Sequence, residues 1–142
     1  MIILFKMNDV AAAILINEEE KLLLYLRDNK STIPYPNHWS LLGGHVEDGE
    51  TLIQALKREL QEEIEYNAKG FSFVGIFYDS FENRVCVYKT GMDKRLENLK
   101  LNEGQKLDFF SFEESLGLKI PKCLKDFLIK NEGKIKEHPL ST

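Results

Sequence analysis

Apolar residues recur along the chain at two periods, and each period marks a different kind of element. Val10–Ile16 and Leu22–Arg27 are short, nearly continuous apolar runs. The charged stretch Asn17-Glu18-Glu19-Glu20-Lys21 between them predicts a turn joining two strands. Phe71–Tyr78 and Arg84–Lys89, rich in Val, Ile, Phe and Tyr, predict two further strands, and Leu107–Phe112 another. Trp39–Leu42 predicts a short strand running into Gly43-Gly44. Ile53, Leu56, Leu60 and Ile64 fall instead at spacings of three and four, which predicts an amphipathic helix from Thr51 to about Tyr66. Ile120, Leu124, Phe127 and Leu128 predict a last helix, with Pro121 at its first position and Gly133 past its end. Asp28–His38 carries two prolines and little periodicity, so it predicts a loop of about eleven residues, a length that is often functional. Strands, a helix, more strands and a final helix imply an α/β or α+β sandwich with a mixed sheet.

Length and composition narrow the function classes. At 142 residues the chain is expected to form one domain, 1–142, with no repeat or linker dividing it. Its formal net charge of −4 gives no basic field for nucleic acid or an anionic membrane surface. The apolar run Met1–Lys6 is too short for the core of a signal peptide, and no stretch approaches a membrane span. Cys86 falls in a strand-like run and Cys123 in a helix-like one, neither at metal-ligand spacing. Both read as buried thiols in a reducing compartment, and the expected location is cytoplasmic.

The candidate chemistry lies on the predicted helix. Glu59, Glu62 and Glu63 stand at i, i+3 and i+4 and share one face. Such a face is either a solvated acidic surface or a carboxylate cluster for a hard divalent cation. The stretch before the helix, Gly43-Gly44-His45-Val46-Glu47-Asp48-Gly49-Glu50, bears on that choice, as does Arg58-Glu59-Leu60-Gln61-Glu62-Glu63 within it. Together they resemble the Nudix box, about 44–66 here, with Gly44, Glu50, Arg58, Glu59, Leu60, Glu62 and Glu63 all matching. Six fixed identities coincide by chance roughly once in 10⁷ placements, so the match is specific. Where the family pattern next asks for glycine and an aliphatic, this chain has Glu65 and Tyr66. Without glycine the helix is expected to run a little further, with Asn67 the best local candidate for a left-handed cap.

The resemblance implies an α/β/α sandwich around a mixed sheet. It also implies a hydrolase that splits a phosphoanhydride bond in a small nucleotide substrate, using Mg²⁺ or Mn²⁺ and an activated water. Carried over residue by residue, it makes the Gly43 carbonyl, Glu59, Glu62, Glu63 and Glu103 candidate metal ligands. Glu59, Glu62 and Glu103 are the catalytic candidates, with the general base left open between Glu59 and Glu103. The Glu103 match rests on Asn102-Glu103-Gly104-Gln105, a few residues before Asp108-Phe109-Phe110. Glu50 and Arg58 are expected to pair and brace the loop against the helix. Such cations would offset the repulsion between five glutamates from Glu50 to Glu65 and a polyphosphate.

Arg27 ends the second strand, where many Nudix enzymes place a basic residue facing the phosphates; the alternative reading is a surface arginine on an edge strand. Trp39, Tyr35 and His38 surround the mouth of the glycine loop and are candidates to stack on a base, with packing in the core as the alternative for Trp39. Leu42 stands where the family commonly carries proline. Family members that clean oxidised purine nucleotides often carry an asparagine before the last helix, and Lys119–Leu124 has none. A competing class is a catalytically silent Nudix-fold module that binds nucleotides. A homodimer is left open.

Overall fold

The structure, a computed structural model, describes residues 8–137. The Met1–Lys6 run therefore lies outside the described residues. β1 (Asn8–Ile16) and β2 (Leu22–Leu26) are joined by the charged turn, where the Asn17 carboxamide accepts from the amides of Glu19 and Lys21 at 3.0 and 2.9 Å. β1 is the centre of the sheet. It runs parallel to β6 (Asn83–Gly91) and antiparallel to β4 (Leu42–His45), meeting β2 at Ile16. β5 (Ser72–Tyr78) adds to β6, while β3 (Trp39–Ser40) and β7 (Lys106–Phe110) add to β2, all antiparallel. The sheet is therefore mixed.

Alternation along β1 builds a layer on each face. Ala11, Ala13 and Leu15 pack under α1 (Leu52–Ile64) against Ala55, Leu56, Leu60 and Ile64. Ala12 and Ile14 point the other way. They meet Phe112 of α2 (Phe112–Leu116), Leu124, Phe127 and Leu128 of α3 (Lys122–Lys130), and Ile135 of α4 (Glu132–Lys136). The result is the α/β/α sandwich expected. Among the described residues no helix is long and apolar enough to cross a membrane.

Several boundaries differ from the sequence expectations. The strand at Leu107 stops at Phe110, because Ser111 and Glu114 form a reciprocal capping box that starts α2 at Phe112. Trp39–Leu42 splits at the buried Leu41: β3 pairs with β2, β4 pairs with β1, and Gly43-Gly44 lies inside β4. α1 ends at Ile64 instead of running on, since Glu65 itself takes the left-handed cap (φ 53°). Its amide bonds Gln61 and the next amide bonds Leu60, the Schellman pattern usually built on glycine. Asn131 closes α3, and Gly133 sits inside α4. Cys86 is buried, whereas Cys123 is only half-buried, with its sulfur 3.7 Å from the Tyr35 hydroxyl.

Candidate functional site

Two glycines of β4 permit two close approaches, Gly43 to the backbone of β1 and Gly44 to a carboxylate of α1. A Cβ on Gly43 (φ 143°) would sit 2.1 Å from the Ala11 carbonyl oxygen. A Cβ on Gly44 would instead sit 2.4–2.7 Å from the carboxylate of Glu59, whose head group fills that space. Glu63, one turn along, is only 2% exposed and accepts a hydrogen bond from the Gly43 amide at 3.0 Å. Burial, reinforced by Glu103 and Glu59 nearby, pushes its pKa up to about 9. Burial also raises Glu59, with Arg58 pulling the other way. These carboxylates are therefore crowded and poorly solvated, a state that added positive charge would relieve.

Arg58 organises the opposite side of the cluster. Its Nε and Nη2 donate to Glu50 at 2.7 and 3.0 Å, Nη2 also reaches the His45 carbonyl at 3.0 Å, and Nη1 donates to Glu59 at 2.8 Å. The hydrogen bond from Arg58 is the main reason that the Glu50 carboxyl lies below its ordinary value. Glu62 is largely exposed, with its nearer oxygen 3.3 Å from Arg58 Nη1.

Glu103 arrives on a loop clamped between two elements. Asn102 donates from its amide to the Glu63 carbonyl at 2.8 Å, and from its side chain to the Glu62 carbonyl and the Glu65 carboxylate at 3.0 and 2.9 Å. Gln105 donates to the carbonyls of Leu26 and Arg27 at 2.8 and 2.7 Å. Glu103 thus reaches a cleft of about 410 Å³ whose walls also carry Glu59, Gly44, Arg27, Tyr35 and Phe77. Neither Glu62 nor Glu63 lines that cleft.

Arg27 faces the cleft with its Nε on the Pro34 carbonyl at 2.8 Å and its Nη1 on the Tyr25 hydroxyl at 2.7 Å. Both partners are neutral, and among the described residues Arg27 makes no ion pair, so its charge remains available to an anion. Of the two readings of Trp39, the structure takes core packing, so its assignment as a substrate contact is corrected. Its ring packs edge-on against Phe110 at 4.9 Å and against the core on the α3 side, away from the cleft walls. Tyr25, Asn102 and Gln105 were not singled out from the sequence. Tyr25 was the one within reach, because residues two apart on a strand share a face and Arg27 follows it by two. Burial raises the Tyr25 hydroxyl well above its ordinary value, so it stays protonated beside Arg27.

Among the described residues, no three His, Cys, Asp or Glu side chains form a ready-made cation cage. Arg58 holds Glu59 and Glu62, and the Gly43 amide holds Glu63. The donors nevertheless suit a hard divalent cation, being carboxylates in surplus beside a backbone carbonyl of β4.

Comparison with known proteins agrees with this arrangement. The family model described as "NUDIX domain" matches residues 6–128. The m7GpppN-mRNA hydrolase NUDT17 of Xenopus laevis is 40% identical over 75 residues, 51% of this chain and 25% of that protein. The nucleoside triphosphatase NudI of Salmonella agona is 34% identical over 59 residues, 42% of this chain and 40% of the relative. The matched stretches thus span between a quarter and two-fifths of these curated relatives. A crystal structure of the MutT protein from Methanosarcina mazei Go1 superposes with a TM-score of 0.76 at 24% identity, covering 92% of this chain and 96% of that one. At that identity the likeness shows the fold.

Proposed function

Because the chain belongs to the Nudix hydrolase family, we propose that it hydrolyses a phosphoanhydride bond in a nucleoside di- or triphosphate derivative, with Mg²⁺ or Mn²⁺ held by its carboxylate cluster. The observation that carries this reading is Glu63, a carboxylate buried beside Glu59 and Glu103 with one neutral amide as its hydrogen-bond donor. Ionising a carboxyl buried there is costly unless a cation compensates the charge. The proposed ligands are Glu59, Glu62, Glu63 and Glu103 with the Gly43 carbonyl. Held by these residues, a divalent cation would supply charge neutralisation at the phosphates and a more acidic water.

The side chains divide the remaining work. Glu59 and Glu103 both line the cleft, which supports either as the base toward the attacking water. Arg27 offers its uncompensated guanidinium to the phosphates, which supplies charge neutralisation without covalent help. Glu50 and Arg58 hold the glycine strand and its following loop against α1. A reducing, cytoplasmic setting belongs to the same reading, with both cysteines as thiols.

The alternative is a nucleotide-binding module without turnover; such modules usually lose one or more helix glutamates, whereas Glu59, Glu62 and Glu63 are all present here. One experiment separates the two. Nucleotide products are separated by anion-exchange chromatography after incubation with nucleoside triphosphates, nucleotide sugars, ADP-ribose, dinucleoside polyphosphates and capped RNA, with Mg²⁺, with Mn²⁺ and in excess chelator. Turnover of at least one substrate is expected with metal and none in chelator. Full activity in chelator would sink the metal-dependent reading, and binding without turnover across the panel would establish the silent module.

A further inference from the structure

The Asp28–His38 loop crosses from the end of β2 to the far wall of the cleft and is fastened at both ends of that span. At its base, the Asn37 amide donates to the Asp28 carbonyl at 3.0 Å, and Gln105 donates to the Asn37 side chain at 3.0 Å. At its tip, the Tyr35 hydroxyl accepts from the Ser80 amide at 2.9 Å, in the turn between β5 and β6. The same oxygen lies 3.7 Å from the Cys123 sulfur, at the start of α3, and the Tyr35 ring meets Phe81 edge-on at 5.1 Å. Tyr35 and Asn37 are both left-handed (φ 49° and 58°), which asparagine adopts readily but a tyrosine holds only where its surroundings impose it. Pro34, the residue before Tyr35, presents the carbonyl on which the Arg27 Nε donates at 2.8 Å.

We propose that Tyr35 is a positioning residue for the phosphate-binding arginine. By fastening the loop to Ser80, it holds the Pro34 carbonyl where that carbonyl aims the Arg27 guanidinium into the cleft. This rests on the proposed function, in which Arg27 meets the phosphates. The chain of contacts runs from Ser80 through the Tyr35 hydroxyl, one peptide along to Pro34, and then to Arg27, with no charged group among its intermediate members. The tyrosine ring already meets Phe81 and His38 in T-shaped contacts, so it is fixed as a fastening rather than left open as a stacking platform.

The test is affinity for inorganic tripolyphosphate, which has no nucleoside for the tyrosine ring to touch. It is measured by calorimetry in Mg²⁺ for the parent, Tyr35→Phe, Arg27→Met and the double variant. Tyr35→Phe keeps the ring and removes the hydroxyl. Its tripolyphosphate affinity should fall about fivefold, the worth of one neutral hydrogen bond. Arg27→Met should lose more, and the double variant should bind no more weakly than Arg27→Met alone, because both act through one guanidinium. Unchanged tripolyphosphate affinity in Tyr35→Phe, with weaker binding of ATP or GTP, would overturn the proposal and leave Tyr35 a nucleoside contact. Additive losses in the double variant would overturn it as well, showing a general effect on the fold. If Arg27→Met itself binds tripolyphosphate like the parent, the phosphate role of Arg27 is what fails, and the positioning role falls with it.

Discussion

Arg58 grips both oxygens of Glu50, Nε at 2.7 Å and Nη2 at 3.0 Å, and so ties the loop after the glycine strand to the middle of α1. Glu50 is itself held at its other side by the Glu47 amide at 2.8 Å. Two parallel charge-assisted bonds fix orientation as well as distance, which an ammonium cannot reproduce. Arg58→Ala should therefore lower the melting temperature in chelator by a few degrees, with Arg58→Lys restoring only part of it. Its activity should fall about a hundredfold, because Glu59 loses the bond that fixes its head group. If Arg58→Ala melts with the parent but loses substrate affinity, the arginine binds phosphate directly and the bracing role is wrong.

Glu63 gives the metal-free protein a pH dependence of definite sign. Its folded pKa, pushed up to about 9, lies above the ordinary 4.5. A carboxyl with a raised folded pKa contributes stability that is fully present below about 4.5 and is lost as pH rises toward about 9. In chelator the melting temperature should fall across that window. Glu63→Gln, which is neutral throughout, should flatten this fall and melt above the parent at alkaline pH. The same variant should lose at least about a hundredfold in turnover with Mg²⁺ present, since it removes a charge the cation needs. Equal pH slopes for parent and variant would show that Glu63 is solvated after all.

How much of this was legible beforehand depended on range. The stripe Ile53, Leu56, Leu60, Ile64 and the glutamate spacing of α1 are local patterns, and the helix and its acidic face followed directly from them. The two-faced packing of β1 was implicit in its apolar run, which only a strand covered on both sides requires. The helix α2 was missed because Phe112 continues the apolar run of Phe109 and Phe110. The signal lay in Ser111 and Glu114, whose capping box outweighs one apolar residue. Trp39 was ambiguous because only the sheet decides its face: it pairs with Leu26 and meets Phe110. The clamp on Glu103 was illegible for a different reason. Asn102 reaches the Glu62 carbonyl across 40 residues of chain, and no local pattern encodes such a contact.

Glu65 holds the position that glycine usually takes, with φ at 53°. A side chain in that conformation costs about 1 kcal/mol relative to glycine. Its carboxylate recovers part of this through Asn102 at 2.9 Å, an exposed hydrogen bond. Glu65→Gly should therefore raise stability by up to ~1 kcal/mol, read as a small increase in melting temperature. Glu65→Ala should lower it, because it keeps the strained backbone and loses the bond. A destabilised glycine variant would mean that the Asn102 contact, rather than the backbone, decides how this helix ends.

The two glycines of β4 should respond differently to the same added methyl group. At Gly43 a Cβ meets backbone, the Ala11 oxygen at 2.1 Å and the Ala12 Cα at 2.7 Å, and φ is already 143°. Neither atom can move without breaking the pairing of β1 with β4, at the centre of the sheet. Gly43→Ala should cost more than ~3 kcal/mol and lose the cooperative melt or shift it far down. At Gly44 the Cβ meets only the Glu59 carboxylate, at 2.4–2.7 Å, which is the far end of a flexible side chain. Glu59 can swing away, so Gly44→Ala should stay folded and melt within a few degrees of the parent. Its turnover should nevertheless drop about a hundredfold, because the displaced carboxylate leaves both its cleft position and its bond to Arg58. Melting curves and turnover of the two variants in one buffer make the comparison. A folded, inactive Gly44→Ala beside an unfolded Gly43→Ala is the expected pair. Full activity in Gly44→Ala would remove Glu59 from the chemistry and leave Glu103 as the general base.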